Sequence, residues 1–243
     1  MYIIFHKNGT GEISTLCEVS DMNLEQYQLA NSSRVRENIE WSMTYSYNAP
    51  DRKSPRILLI GDSICNAYHK ELRRLLQARA NLTFWASSKC VTDPDYLREL
   101  DFITDGGPFS LILFNNGIHA MTSDRREWQE AYANTVRFLR DKFPGIPFFV
   151  ILSTPSRDAS KTEIIRAMNQ WNTEYAQSME LPVIDLFAPA VVLDRSAWGD
   201  DYHFMPEAVN MLAKTVAEKI ADRFAENGLQ QKMTLTGPDG SLK

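Results

Sequence analysis

Arg56-Ile57-Leu58-Leu59-Ile60-Gly61-Asp62-Ser63-Ile64-Cys65-Asn66 is the stretch on which the fold turns. Residues 56–60 form a largely apolar run, the pattern of a strand buried on both faces, and Gly61 ends it before a polar pair and a helix-like segment. The stretch therefore predicts strand, turn and helix. Ser63 falls in the turn, at the carboxyl end of a parallel strand. Open α/β sheets gather their ligands there, beside the positive end of the following helix. That position suits a nucleophile; it equally suits an N-cap, a role serine fills well.

Downstream the alternation continues. Strands are predicted at residues 56–60, 82–86, 111–114, 148–153 and 183–185. Helices are predicted at residues 66–79, 94–100, 125–142 and 161–179, with a last one at 206–227. Tyr132, Val136 and Leu139, and again Val209, Leu212, Val216 and Ile220, recur at helical spacing. Such alternation implies an α/β protein: a mostly five-stranded parallel sheet with helices on both faces, joined by right-handed crossovers. Gly228 fits the position just past the last helix, and residues 230–243 read as a loose tail.

Upstream the pattern differs. Residues 2–6 and 12–17 flank Asn8-Gly9, a strong hairpin signal. Residues 23–36 are polar and mildly helical, and residues 39–45 are extended and aromatic. Residues 1–50 are thus expected to form an extension packed on the main domain of residues 51–229, with Trp41 and Tyr45 anchoring it.

Composition narrows the partners. With 44% hydrophobic and 23% charged residues the chain is an ordinary globular one. Its net charge of -5 and lack of a basic cluster argue against nucleic acid as a partner. No apolar run approaches the ~18 residues that span a bilayer. The opening residues lack a positive leader region and a small-residue cleavage site, so the chain as written is expected to be cytoplasmic; removal of a leader would make it secreted or periplasmic. Cys17, Cys65 and Cys90 are odd in number and widely spaced, which predicts free thiols and no metal site.

In a parallel sheet the residues after each strand become neighbours. Here these are Asp62-Ser63, then Ser87-Ser88-Lys89-Cys90, then Asn115-Asn116-Gly117-Ile118-His119, then Thr154 to Arg157, and finally Trp198-Gly199-Asp200-Asp201-Tyr202-His203 before the last helix. A nucleophilic serine needs a base, a carboxylate to orient it, and donors for the oxyanion. Asp200 and His203, three residues apart, can supply orienter and base from one loop. Ser63 can offer its own N–H, and His119 or Asn116 a side-chain N–H.

With Gly61-Asp62-Ser63-Ile64 after an apolar strand, a Gly-bearing polar turn after the third strand, and Asp200-Asp201-Tyr202-His203 before a terminal helix, residues 56–227 resemble the SGNH hydrolases, the GDSL esterases and lipases. The resemblance implies a three-layer, flavodoxin-like fold and a serine esterase with Ser63 as nucleophile, His203 as base and Asp200 as orienter, needing no cofactor. Two departures stand out. His119 occupies the place of the family's oxyanion asparagine, with Asn116 as competitor. The second-strand turn lacks the family's glycine, leaving Ser88 or Lys89 to supply a backbone N–H.

Other residues carry two readings each. Arg157 would grip a substrate carboxylate or close a surface salt bridge, and Trp85 and Trp198 would face a sugar ring or simply pack. Cys65 would be a small buried filler or a thiol activated at the helix start. Asp62 is expected to hold the nucleophile turn. The expected activity is removal of a small acyl group, most plainly acetyl, from a carbohydrate. Two alternatives are a catalytically weak carbohydrate-binding or scaffold protein and an O-acyltransferase on the same fold.

Overall fold

The computed structural model describes residues 5–7, 13–15, 22–77 and 79–226. Two short strands, β1 (Phe5–Lys7) and β2 (Ile13–Thr15), pair antiparallel with Phe5 opposite Thr15, as the Asn8-Gly9 signal predicts. The main sheet begins with β3 (Ser42–Ser46) and β4 (Arg56–Gly61), which leads into helix α1 (Ser63–Leu76). Then follow β5 (Asn81–Ser87), α2 (Tyr96–Thr104), β6 (Leu111–Phe114), α3 (Arg125–Lys142), β7 (Phe148–Ile151) and α4 (Ala159–Ser178). Strand β8 (Val183–Ile184), a short α5 (Phe187–Val191) and the long α6 (Pro206–Glu226) complete the series.

The sheet runs β3-β5-β4-β6-β7-β8. The five predicted strands are all present and parallel. The sheet nonetheless has six strands, because the aromatic segment expected only to pack on the domain joins it as β3, antiparallel to β5 with Thr44 opposite Trp85. Strand β4 therefore has a parallel neighbour on each side, β5 and β6. The chain leaves it in opposite directions, the arrangement that opens a crevice at the strand ends.

The apolar run of β4 divides by period two. Ile57 and Leu59 face the layer of α1 and α6, among Leu72, Leu212 and Val216; Leu58 and Ile60 face α2 and α3, among Leu100, Tyr132 and Val136. All four are completely buried, each contributing about 1.5–3 kcal/mol of apolar burial. Between Arg56 at its start and Asp62 past its end, the strand carries no polar side chain.

Of the mildly helical residues 23–36 only one short turn of helix forms. A four-residue 3-10 turn at Leu24–Tyr27, capped by Asn23, gives way to irregular chain. Asn31, Ser32 and Ser33 compete for backbone groups; both the N–H and the hydroxyl of Ser33 donate to Glu127 of α3, at 2.8 and 2.7 Å. Cys65 and Cys90 are free and buried. Cys17, Gly228 and the tail of residues 230–243 lie outside the described residues. Among the described residues no helix is long and apolar enough to cross a membrane.

Gly61 sets how closely α1 approaches β4. A Cβ placed there would stand 2.6 Å from the Cβ of Cys65 in the first turn of α1, a contact that only backbone movement relieves. Gly61→Ala is expected to destabilise the fold by roughly 1–3 kcal/mol, read as a lower urea midpoint with unchanged slope. An unchanged midpoint would show that the strand-to-helix junction is not tight.

Candidate active site

The junction between β4 and α1 is capped by Asp62, not by Ser63. Asp62 has extended backbone and its Oδ1 accepts the Ile64 N–H at 2.9 Å, the role expected of it. Ser63 is thereby freed from capping and becomes the first residue of α1. Its N–H has no intrahelical acceptor and sits at the positive helix end.

The loop before α6 is a tight turn closed by backbone bonds from Gly199 N to His203 O (2.8 Å) and from Met205 N to Ala197 O (2.8 Å). Pro206 then starts α6, since its missing N–H costs nothing in a first turn. Ser156 Oγ and Arg157 N both donate to Asp201 O, at 2.9 and 2.8 Å, tying the loop to the end of β7.

Held this way, His203 Nδ1 lies 2.7 Å from Asp200 Oδ2, and His203 Nε2 lies 2.8 Å from Ser63 Oγ. A carboxylate only accepts, so Nδ1 carries the proton and Nε2 presents its lone pair to the serine hydroxyl. Asp200 Oδ1 accepts two further bonds, from the N–H groups of Tyr202 and His203, both at 2.8 Å. The Tyr202 N–H, then that of His203, and then the His203 ring hold the Asp200 carboxyl down at about 2, against a smaller upward push from desolvation. Chemically, this chain can take a proton from Ser63 as its oxygen attacks an electrophile.

The remaining candidate residues sort differently. The Ser88 N–H donates to Trp41 O at 3.1 Å as an extension of the β3–β5 ladder, and its hydroxyl donates to Glu40. Ser88 is completely buried, so it has no N–H left for an oxyanion. His119 Nδ1 faces Glu37 Oε1 at 2.6 Å and donates to it, and its Nε2 is buried without a hydrogen-bond partner. Asn116 spans the loop after β5: its Nδ2 donates to Lys89 O at 3.1 Å and its Oδ1 accepts from Val91 N at 3.3 Å. The Lys89 N–H has only the hydroxyl two residues back, Ser87 Oγ at 3.1 Å.

Trp85 is completely buried on β5, its Nε1 donating to Ser42 Oγ at 2.7 Å, so it packs and cannot face a sugar. Trp198 is half-buried against Phe204, ring centroids 4.2 Å apart. Arg157 pairs with Asp201 at 3.0 Å, the salt-bridge reading, and Asp201 is thus drawn away from His203. The Cys65 thiol is pushed well up by burial and then by nearby Asp62, which makes it a filler.

Sequence reading missed the contribution of the extension. Arg34, Glu37 and Glu40 bring one charged group each to residues 88–119. Their only sequence signal is a dense run of charges in a segment of mixed pattern.

No protein-family model matches the chain, and no curated protein sequence is similar to it. Solved structures do share its fold. A GDSL-like lipase from Bacteroides thetaiotaomicron superposes with a TM-score of 0.58 at 14% identity, covering 72% of this chain and 92% of that one. An acetyl xylan esterase superposes with 0.59 at 16% identity over 68% of this chain and 99% of that one. A family two carbohydrate esterase from Clostridium thermocellum, solved with cellohexaose, gives 0.57 at 16% identity over 70% and 65%. The chain therefore has the fold of the G-D-S-L lipases and carbohydrate esterases.

The depressed Asp200 carboxyl links the loop to pH. Because its folded value lies below the unfolded one, 3.8, its contribution is present above pH 3.8 and is lost as pH falls through about 2. Asp200→Asn is expected to lower Tm at neutral pH, and the gap from the parent should close between pH 4 and 2. A gap independent of pH would mean the carboxylate is not held by these bonds.

Proposed function

We propose that the chain is an SGNH-type serine esterase that removes a small acyl group, acetyl, from a carbohydrate. The observation that carries this is the hydrogen-bonded chain Ser63 Oγ, His203 Nε2, His203 Nδ1, Asp200 Oδ2 at the carboxyl edge of a parallel sheet.

Ser63 Oγ attacks the acyl carbonyl while its proton passes to His203 Nε2; the imidazolium formed is stabilised by Asp200. Collapse of the tetrahedral intermediate gives an acyl-enzyme, and the leaving alkoxide takes the proton from His203. Water, deprotonated by the same nitrogen, then releases the acid. The oxyanion is met by the N–H of Ser63 and by that of Lys89 once it leaves Ser87 Oγ, each worth roughly 3 kcal/mol in the transition state.

The acetyl part is supported by the shared fold with an acetyl xylan esterase. The carbohydrate part is supported by the shared fold with an acetyl xylan esterase and a cellohexaose-bound esterase. A second reading, a carbohydrate-binding protein with weak catalysis, is favoured by the commitment of the Ser88 and His119 N–H groups elsewhere.

Ser63→Ala should reduce hydrolysis of p-nitrophenyl acetate by on the order of 10⁴-fold or more, with an unchanged circular-dichroism spectrum. A fluorophosphonate probe should label the parent and not the variant. Parent-level rates in Ser63→Ala would overturn the esterase reading, and an unlabelled parent would favour the binding protein.

A further inference from the structure

The loop at residues 87–93 follows β5 and lies beside Ser63, since Gly61 of β4 is in register with Ala86 of β5. It carries no glycine, yet most of its peptide groups are fixed. Asn116 takes the carbonyl of Lys89 and the N–H of Val91, and Asp93 Oδ2 takes the N–H of Cys90 at 2.7 Å. The remaining support comes from outside the main domain. Arg34, in the irregular segment before β3, donates to Ser88 O at 3.2 Å, to Asp93 Oδ2 at 2.6 Å and to Glu40 Oε1 at 3.3 Å.

The side chain of Arg34 is 2% exposed and that of Asp93 is 1% exposed. A buried guanidinium with three acceptors is a rigid fork. In a trans peptide the carbonyl and the next N–H point in opposite directions. Fixing Ser88 C=O therefore fixes the direction of the Lys89 N–H, the one N–H among residues 88–91 whose partner is merely the serine hydroxyl two residues back.

We propose that Arg34 is a positioning residue for catalysis: from the N-terminal extension it locks the Ser88–Lys89 peptide beside Ser63, so that the Lys89 N–H passes from Ser87 Oγ to the oxyanion as it forms. This rests on the esterase reading above. Arg34 touches no reacting atom, and its charge is absorbed by Asp93 and Glu40. It does for this loop what a glycine-containing turn would otherwise do through backbone shape alone.

The test compares kcat, KM and Tm of the full chain with p-nitrophenyl acetate for Arg34→Met, Arg34→Lys and Tyr27→Phe. Tyr27 anchors the same segment to α3, its hydroxyl donating to Asp141 at 2.8 Å and not to the loop. Arg34→Met is expected to lower kcat by on the order of 10²-fold, the effect of losing one oxyanion donor, with KM within about twofold. Fluorophosphonate labelling of Ser63 should slow in parallel, because the phosphonyl oxygen needs the same donors. Tyr27→Phe should lower Tm while keeping kcat.

If Arg34→Met does not fold, Arg34→Lys decides. It keeps the charge without the fork, and a folded protein with a kcat roughly tenfold down at unchanged KM supports the assignment. Parent-level kcat in a folded Arg34 variant overturns it, as does a loss of kcat that tracks Tm equally in Tyr27→Phe. A Ser63→Ala control that still hydrolyses the ester overturns this proposal and the esterase reading together. A dead Ser63→Ala beside a fully active Arg34 variant overturns this proposal alone.

Discussion

The structure depends on β4 being paired on both edges and buried on both faces. Ile57 to Ile60 must serve two cores at once, so all four are apolar. Polarity arrives abruptly at Asp62 and Ser63, and it arrives between two loops, because β5 and β6 run alongside in parallel register. The Ser63 hydroxyl is placed by sheet geometry before any site residue acts on it. Gly61, packed on Cys65, and Asp62, capping α1, then fix where the serine points.

The extension belongs to this arrangement and is not an ornament on it. Strand β3 covers the edge of β5, and Trp41 just before it takes the Ser88 N–H that would otherwise be unpaired. Arg34 and Asp93 form a buried ion pair, and removing either partner of such a pair typically costs ~3–5 kcal/mol. Glu37 holds His119 from the same segment. The three contacts act on the two loops that flank Ser63, so the segment before β3 and the β5 and β6 loops order together.

The legible parts of the sequence were those whose physics is local. The parallel strands show themselves as short, largely apolar runs, because burial on both faces favours that composition, and Arg125–Lys142 was readable to its ends from its apolar spacing. Asp200 and His203 were readable because three residues in a turn can bond to each other without help from the fold. Strand β3 was not, since an edge strand is half exposed and its partner lies some forty residues downstream. Past Tyr27 the mildly helical residues 23–36 run irregular for the same kind of reason: Ser33 and Arg34 are claimed by Glu127 and Asp93, which local propensity does not report. Trp85 read as a ring near the site; only its pairing opposite Thr44 and its bond to Ser42 show that it faces inward.

Oxyanion donors are the hardest case because a backbone N–H carries no side-chain identity. Ser88, Lys89 and Cys90 are equivalent on that count, and they differ only in what already holds them: Trp41 O takes the first, Ser87 Oγ the second and Asp93 the third. The Lys89 N–H, held by a hydroxyl that can turn away, is the one on which the proposed oxyanion role rests. The same bonds give the loop little freedom to rearrange, and a donor that need not reorganise as charge develops is the kind that stabilises a transition state most. A turn built without glycine gains that rigidity from side chains, and so becomes dependent on residues as distant in sequence as Arg34 and Asn116.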